Sequence, residues 1–401
     1  MQVKHEEGII GMLRNERTHH TRRRLLGAIG VGTAGAALAG YGLTDLLEAA
    51  AQGTPTGDGG RARTYYLAAE EVNWDYAPSG RDLITGEPFD ETADVFVGGG
   101  EDRIGRVYRK ALYRAYTDDT FTTPAAIDPA WSHLGFLGPV IRAEVGDTLE
   151  VVFRNTTTRP ASVHPHGVFY TKENEGARYA DGSPATAQGD DIVAPGDTYT
   201  YHWPVPERAG PGPHDPSSIV WMYHSHVDTV ADTNAGLVGP ILVTRRGEAR
   251  ADGSPRDIDR EFVTLFSVTD ENASSYLEEN IRTFTSDPES VDPDDEDFVE
   301  SNLMHGINGF VFGNLPGLEM RLGERVRWYA VGMGTEVDLH TPHWHGATLL
   351  WMGMRTDMTE LLPMSMKTLD MVPDSPGVWL YHCHVNDHIT AGMQALFTIS
   401  G

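Results

Sequence analysis

Tyr381-His382-Cys383-His384-Val385-Asn386-Asp387-His388-Ile389-Thr390-Ala391-Gly392-Met393 contains the only cysteine of the 401-residue chain. Thiolate and thioether are soft ligands and imidazole is borderline. One Cys, two His and a weak axial Met make up the ligand set of an electron-transfer copper site. Cys383, His388 and Met393 supply three of these four, so the fourth must come from elsewhere in the chain. His382 and His384 flank the cysteine. On a strand, neighbours at i−1 and i+1 point to the face opposite residue i. The two histidines are therefore expected to bind other metals behind Cys383. The blander reading, a buried free cysteine beside surface histidines, leaves this spacing of five candidate ligands unexplained.

Seventeen histidines occur, and ten fall into four compact clusters. They are His164-Pro165-His166-Gly167, His224-Ser225-His226, His340-Thr341-Pro342-His343-Trp344-His345-Gly346, and the three around Cys383. A His-X-His pair on a strand places both rings on one face, as a multinuclear metal site requires. Giving His340 to the Cys383, His388, Met393 set leaves eight: His164, His166, His224, His226, His343, His345, His382 and His384. Eight imidazoles suit three copper ions, two on one ion and three on each of a pair. Four lie in the first half of the chain and four in the second, so such a cluster is expected at an interface between a first and a second domain.

Organisation follows the same division. From Arg63 the chain becomes a series of short apolar segments separated by Gly, Pro, Asp and Asn. Residues 65–69 read as a strand, and residues 140–153 as two strands around Gly146-Asp147. No long stretch has helical period. Many short strands with turn signals imply antiparallel β-sandwiches. Similar apolar segments at residues 236–243 and 392–399 close two domains, expected at 63–247 and 258–401. The acidic segment 287–300, with two Asp-Pro steps, reads as an exposed, solvated connection inside the second.

The formal net charge is −27, from 58 acidic and 31 basic residues. That sign argues against nucleic acid and anionic membrane as partners, and suits a chain whose self-repulsion is screened by salt. A single cysteine excludes an intramolecular disulfide. Residues 1–52 read as an export signal: Thr21-Arg22-Arg23-Arg24-Leu25-Leu26 has a twin-arginine pattern, an apolar run follows to about Leu47, and Ala49-Ala50-Ala51 offers a cleavage site. An uncleaved anchor is the competing reading, although the run is short of a full membrane span. Residues 53–62 form a linker. The expected location is extracellular, periplasmic or at the cell surface, without stable membrane insertion.

At the four histidine motifs the chain resembles the multicopper oxidases. The resemblance implies an all-β fold of two cupredoxin-like Greek-key sandwiches or barrels. It implies a type 1 copper held by His340, Cys383, His388 and Met393, a type 2 copper held by His164 and His343, and a type 3 pair held by His166, His224, His226, His345, His382 and His384. Residues 103–113, 116–121, 134–141 and 266–272 are similar to the ceruloplasmin- and hephaestin-like branch, which includes the A domains of coagulation factors. That similarity runs from about Tyr65 to Thr398. Two-domain members of the family close as three subunits, the first domain of one meeting the second domain of the next. A homotrimer with the cluster between subunits is therefore implied, and the first domain, lacking cysteine, holds no type 1 copper.

The reaction implied is one-electron oxidation of a donor coupled to reduction of O2 to water. For the donor, residues 300–309 resemble a segment whose Glu and His bind iron beside the type 1 copper, which points to Glu300 and His305 with Asp387 as a third ligand; hard carboxylates suit Fe(II). A carboxylate there could instead serve as base for a phenol, and the plain alternative is a surface turn. Met352, Met354, Met358, Met364, Met366 and Met371 crowd into one stretch. Thioethers suit Cu(I), but core packing between strands is their expected use. Asp190 and Asp191, near Lys172, match a calcium site loosely; a charged turn is the alternative. A copper nitrite reductase and a non-enzymatic A-domain-like binding protein are the rival readings. The first needs a type 1 site in the first domain, and the second tolerates loss of ligands, of which none is lost here.

Overall fold

Alternation of apolar and polar residues builds the strands. In Thr148–Asn155 the side chains of Leu149, Val151 and Phe153 are buried and their neighbours are not, which fixes which face meets the core. Two segments, Val238–Thr244 and Val326–Gly332, are buried at every position, and both lie inside a sheet with strands on either side. The computed structural model describes residues 60–184, 188–335 and 338–401. The expected export signal, residues 1–52, and most of the expected linker fall outside the described residues.

Eight described strands make the first half: β1 Ala62–Asp75, β2 Val107–Tyr116, β3 Ile141–Glu144, β4 Thr148–Asn155, β5 His164–Pro165, β6 Thr198–Pro204, β7 Ser218–His224 and β8 Val238–Thr244. They form two sheets, in the orders β2-β1-β4-β6 and β3-β8-β7-β5. Ten make the second: β9 Arg260–Asp270, β10 Leu303–Ile307, β11 Glu319–Arg321, β12 Val326–Gly332, β13 Pro342–Trp344, β14 Leu349–Trp351, β15 Met354–Thr356, β16 Met366–Met371, β17 Gly377–Cys383 and β18 Gln394–Ser400. Their sheets run β10-β9-β12-β16-β14-β15 and β11-β18-β17-β13. The protein is thus an all-β, cupredoxin-like pair of sandwiches.

Three expectations need correction. The sheets are mixed rather than antiparallel: β1 with β4, β3 with β8, β9 with β12 and β11 with β18 run parallel, each pair joined by a connection that crosses over rather than by a tight hairpin. Residues 287–300 are not simply a solvated loop. Asp295 caps a short helix, Glu296–Ser301, by accepting from the amides of Asp297 and Phe298, and Phe298 is buried. The methionines do not all pack the core. Met371 is buried, but Met352, Met354 and Met358 are exposed. Met352 occupies the β14–β15 turn, with φ +49°, at the outer edge of the six-stranded sheet, where no layer covers it.

The two halves share a core. Leu112, Val220 and Met222 of the first pack in one cluster with Val263, Leu265, Met304 and Tyr329 of the second. Within the junction the fully buried Lys110 pairs with Glu271, whose carboxylate also accepts from Tyr76 Oη at 2.5 Å, while Lys110 Nζ donates to the Asn234 carbonyl at 2.7 Å. Removing one partner of such a pair leaves a buried charge, at a cost of about 3–5 kcal/mol. His133 also crosses the junction, its Nε2 accepting from the Val263 amide at 3.0 Å. Burial pushes its pKa down to about 3, so it sits there uncharged.

Candidate metal centres

Register brings the ligands together. β13 pairs with β17 so that His343 faces His382 and Pro342 faces Cys383. β17 ends at Cys383, and a one-turn helix, Asn386–Thr390, carries His388 back over it. The Met393 carbonyl accepts from the Cys383 amide at 3.1 Å, which locks the loop from cysteine to methionine, and Met393 is fully buried. Cys383 Sγ lies 3.6 Å from His388 Nδ1 and 4.0 Å from His340 Nδ1, and the two Nδ1 atoms are 3.2 Å apart. Donor atoms bound to one ion at roughly 2.0–2.3 Å stand at about such separations from one another, so these residues fit a single soft metal. All three are buried. Burial raises the Cys383 pKa, against amide donors from Thr341 at 3.4 Å and Val385 at 3.5 Å. A bound cation deprotonates such a thiol.

A second donor set lies behind the cysteine. His382 Nε2 is 3.1 Å from His345 Nε2 and 3.3 Å from His343 Nδ1. His384, just past the strand and exposed, has its ring 5.3 Å from that of His382 and 5.4 Å from that of His343. A third set belongs to the first half: β5 pairs with β7 so that His164 faces His224, and His166 Nε2 is 3.0 Å from His224 Nε2. His226 joins with its ring 5.2 Å from His164. The structure thus gathers the ten histidines and the cysteine named from sequence into three sets, with Met393 in the core cluster that holds Cys383. Among the described residues, His164, His166 and His224 converge apart from His343, His345 and His382.

Ring orientation is set locally. The Nδ1–H groups of His164, His224 and His382 donate to the carbonyls of Glu175, Ser225 and Cys383 at 2.6, 2.9 and 2.7 Å, leaving Nε2 as the free lone pair. Burial is the main cause pushing His166 and His388 down to about 4 and His224 to about 3, and it also lowers His164, His343 and His382. Neutral imidazole is the metal-binding form. Sequence reading missed the brace on the second cluster. Buried Asp232 accepts from Ser225 Oγ at 2.6 Å, and Ser162 Oγ accepts from the His226 amide at 3.0 Å. The only sequence signal was a serine between two histidines.

The residues named as iron ligands share one cleft. Glu300, His305 and Asp387 line one 480 Å³ cleft with Asn386, Thr390 and Ala391. His305 is buried, with its ring 5.3 Å from that of His388, so for this residue the surface-turn alternative is wrong. Thr92, Val95 and Phe96 close the cleft's other wall. They come from the helix Glu91–Val97, some 200 residues away in sequence, and nothing in the sequence tied them to this place.

Asp190 and Asp191 lie in a turn, and both are buried. Asp190 Oδ2 accepts from the Gly176 amide at 2.8 Å, and its Oδ1 has no partner among the described residues. Burial and the neighbouring Asp190 push Asp191 up to about 6. Lys172 pairs instead with Glu175 at 2.6 Å and Asp181 at 3.2 Å.

Multicopper oxidase sequence profiles match residues 133–248 and 282–400, together more than half of the chain and spanning all three donor sets. The chain belongs to the multicopper oxidase family. Human hephaestin (Homo sapiens) is 48% identical over 344 residues, covering 85% of this chain and 29% of its own. A mouse (Mus musculus) ferroxidase, HEPHL1, is 46% identical over the same length, with 85% and 29% covered. This multicopper oxidase chain therefore spans less than a third of the length of these relatives. A solved structure described as a multicopper oxidase superposes with a TM-score of 0.53 over 86% of this chain and 92% of that one, at 18% identity, which speaks to fold alone.

Proposed function

We propose that the protein is an exported oxidase that takes electrons one at a time from a small donor and passes them to O2. The observation that carries this is the placement of Cys383 between two donor sets: its sulfur faces His340 and His388, while the adjacent His382 faces His343 and His345. Copper held there would supply one-electron oxidation at the first set and reduction of O2 to water at the second. The roles follow the family pattern: His340, Cys383, His388 and Met393 for a type 1 ion, His164 and His343 for a type 2 ion, and the remaining six histidines for a type 3 pair. One covalent path, through Cys383 into His382 and His384, joins the two sets.

Neither half-set completes a three-ion cluster alone, and within the chain they converge separately. This supports sharing between subunits, in a closed head-to-tail ring of three. A nitrite reductase reading is disfavoured because the first half offers no cysteine, and a binding-only reading because every ligand is kept. Among the described residues no helix is long and apolar enough to cross a membrane.

Fe(II) is the donor favoured by the cleft of Glu300, His305 and Asp387, which opens beside His388; a relative named as a ferroxidase agrees. The exposed Met352, Met354 and Met358 keep Cu(I) in view as a donor, and a phenol is the third. The test is O2 consumption by the copper-loaded protein with Fe(II), Cu(I) and 2,6-dimethoxyphenol in high salt. Glu300→Ala and Asp387→Ala are each expected to lower kcat/KM for Fe(II) at least about tenfold, the effect of losing about 1.4 kcal/mol of charge-assisted binding, and to leave the phenol rate nearly unchanged. Equal losses on both donors would remove the iron site.

Calcium at Asp190 and Asp191 is supported by the unpartnered buried oxygen and the strained pair of carboxylates. Millimolar Ca2+ should raise the Tm of the protein and should fail to do so in Asp190→Asn. A Tm insensitive to Ca2+ would dispose of the site.

A further inference from the structure

Asp338 stands behind His340, two residues before it in the chain, and is 1% exposed. Its Oδ1 accepts from the Val268 amide at 2.7 Å, and its Oδ2 accepts from the Thr335 amide at 2.7 Å and from Thr335 Oγ1 at 3.2 Å. Three donors hold the carboxylate in one orientation and favour its charged form. Oδ1 also lies 3.3 Å from His340 Nε2, the ring nitrogen remote from Cys383. That nitrogen is buried and has no aligned hydrogen-bond partner among the described residues. Among the described residues, Asp338 is the one carboxylate within ion-pairing reach of it. The oriented nitrogens of His164, His224 and His382 donate instead to neutral carbonyls.

We propose that Asp338 is a positioning residue that holds the Nε2–H of His340, reserves Nδ1 for copper, and places a fixed negative charge that favours Cu(II) over Cu(I) at the Cys383 site. The inference rests on reading Cys383, His340 and His388 as a copper site. An imidazole offers a lone pair at one nitrogen only when the other carries the proton, and an anionic acceptor behind the ring raises its basicity as a ligand. In a dry site a charge this close is weakly screened, and it stabilises the metal state of higher charge. The consequence is a site of lowered potential, which narrows the donors it can oxidise. Fe(II) held by the carboxylates of Glu300 and Asp387 remains within reach, because hard anionic oxygens favour Fe(III). A phenol, without such help, is at a disadvantage. Asp338 thereby selects between the donors that the outer cleft admits.

The test uses the full copper-loaded chain. Asp338→Asn should keep the blue absorption and raise the potential, shifting the Cu(II)/Cu(I) equilibrium about tenfold, or about 59 mV for a one-electron couple. Turnover of 2,6-dimethoxyphenol should rise relative to Fe(II). Asp338→Glu, which keeps the charge, should retain most of the low potential, an outcome a purely structural role does not produce. An unchanged potential in a blue Asp338→Asn protein would overturn the inference. Should that variant fail to fold, the unsubstituted protein decides the matter. The His340 Nε2 proton, read by proton ENDOR of the copper signal, should resist exchange into D2O, and free exchange would overturn the inference. An unsubstituted protein with no blue absorption would refute the copper reading of Cys383 and this inference together, whereas a blue protein indifferent to Asp338 refutes only the latter.

Discussion

Cys383→Ser is expected to abolish the blue absorption and reduce oxidase turnover with every donor to background, while the protein still folds and still binds copper through its histidines. Serine is nearly isosteric, and the amides of Thr341 and Val385 that point at Sγ would find an oxygen there instead. The cost to the fold is therefore small. The cost to the chemistry is not. A neutral hydroxyl is a hard, weak donor in place of a soft thiolate, and the covalent route from the His340–His388 set to His382 and His384 loses its sulfur end. Visible spectroscopy, copper analysis and O2 uptake on one preparation would check this. Retained turnover would defeat the proposed chemistry, whatever else the protein binds.

The second large effect is a recovery. His224→Ala and His345→Ala should each be inactive, since each removes one ligand, buried His224 or half-buried His345, from one half-set. If the cluster is shared, mixing the two inactive proteins, dissociating them and letting them reassemble should restore activity. In a head-to-tail ring with random mixing, about one interface in four pairs an intact first half with an intact second half, so the specific activity should climb from background to about a quarter of that of the unsubstituted protein. Reassembly in high salt is needed, because a formal charge of −27 on each chain opposes association until it is screened. Mixed rings of normal size that stay inactive would place both half-sets of a working cluster within one chain.

Much of the donor chemistry was legible because metal ligands leave little freedom in residue type and spacing. Cys383, His388 and Met393 could be read as one set before any fold was known, and the strand rule put His382 behind the cysteine, where register with His343 now holds it. Sequence could not show what comes from far away. Thr92, Val95 and Phe96 share a cleft with Asp387 only because the chain folds the helix Glu91–Val97 to its far wall. Asp338 looked like one more acidic residue until Val268 and Thr335 fixed its carboxylate. The parallel pairs were hidden for a related reason: alternation reports which face of a strand is buried, not the direction of its neighbour. The methionines of residues 352–358 were misassigned because hydrophobicity suggested a core where the sheet has only an edge.

The common core of the two halves, with Lys110 and Glu271 sealed inside it, bears on the order in which copper is taken up. On the proposed reading, a junction packed this way keeps His164, His166 and His224 from His343, His345 and His382 of the same molecule. Filling the Cys383 site is then a first-order matter for a lone chain and proceeds at any dilution. Filling a histidine cluster shared between chains would have a higher molecularity and wait on their encounter. On the proposed reading, a dilute preparation turns blue before it becomes active, and the lag between colour and activity shortens as protein concentration rises.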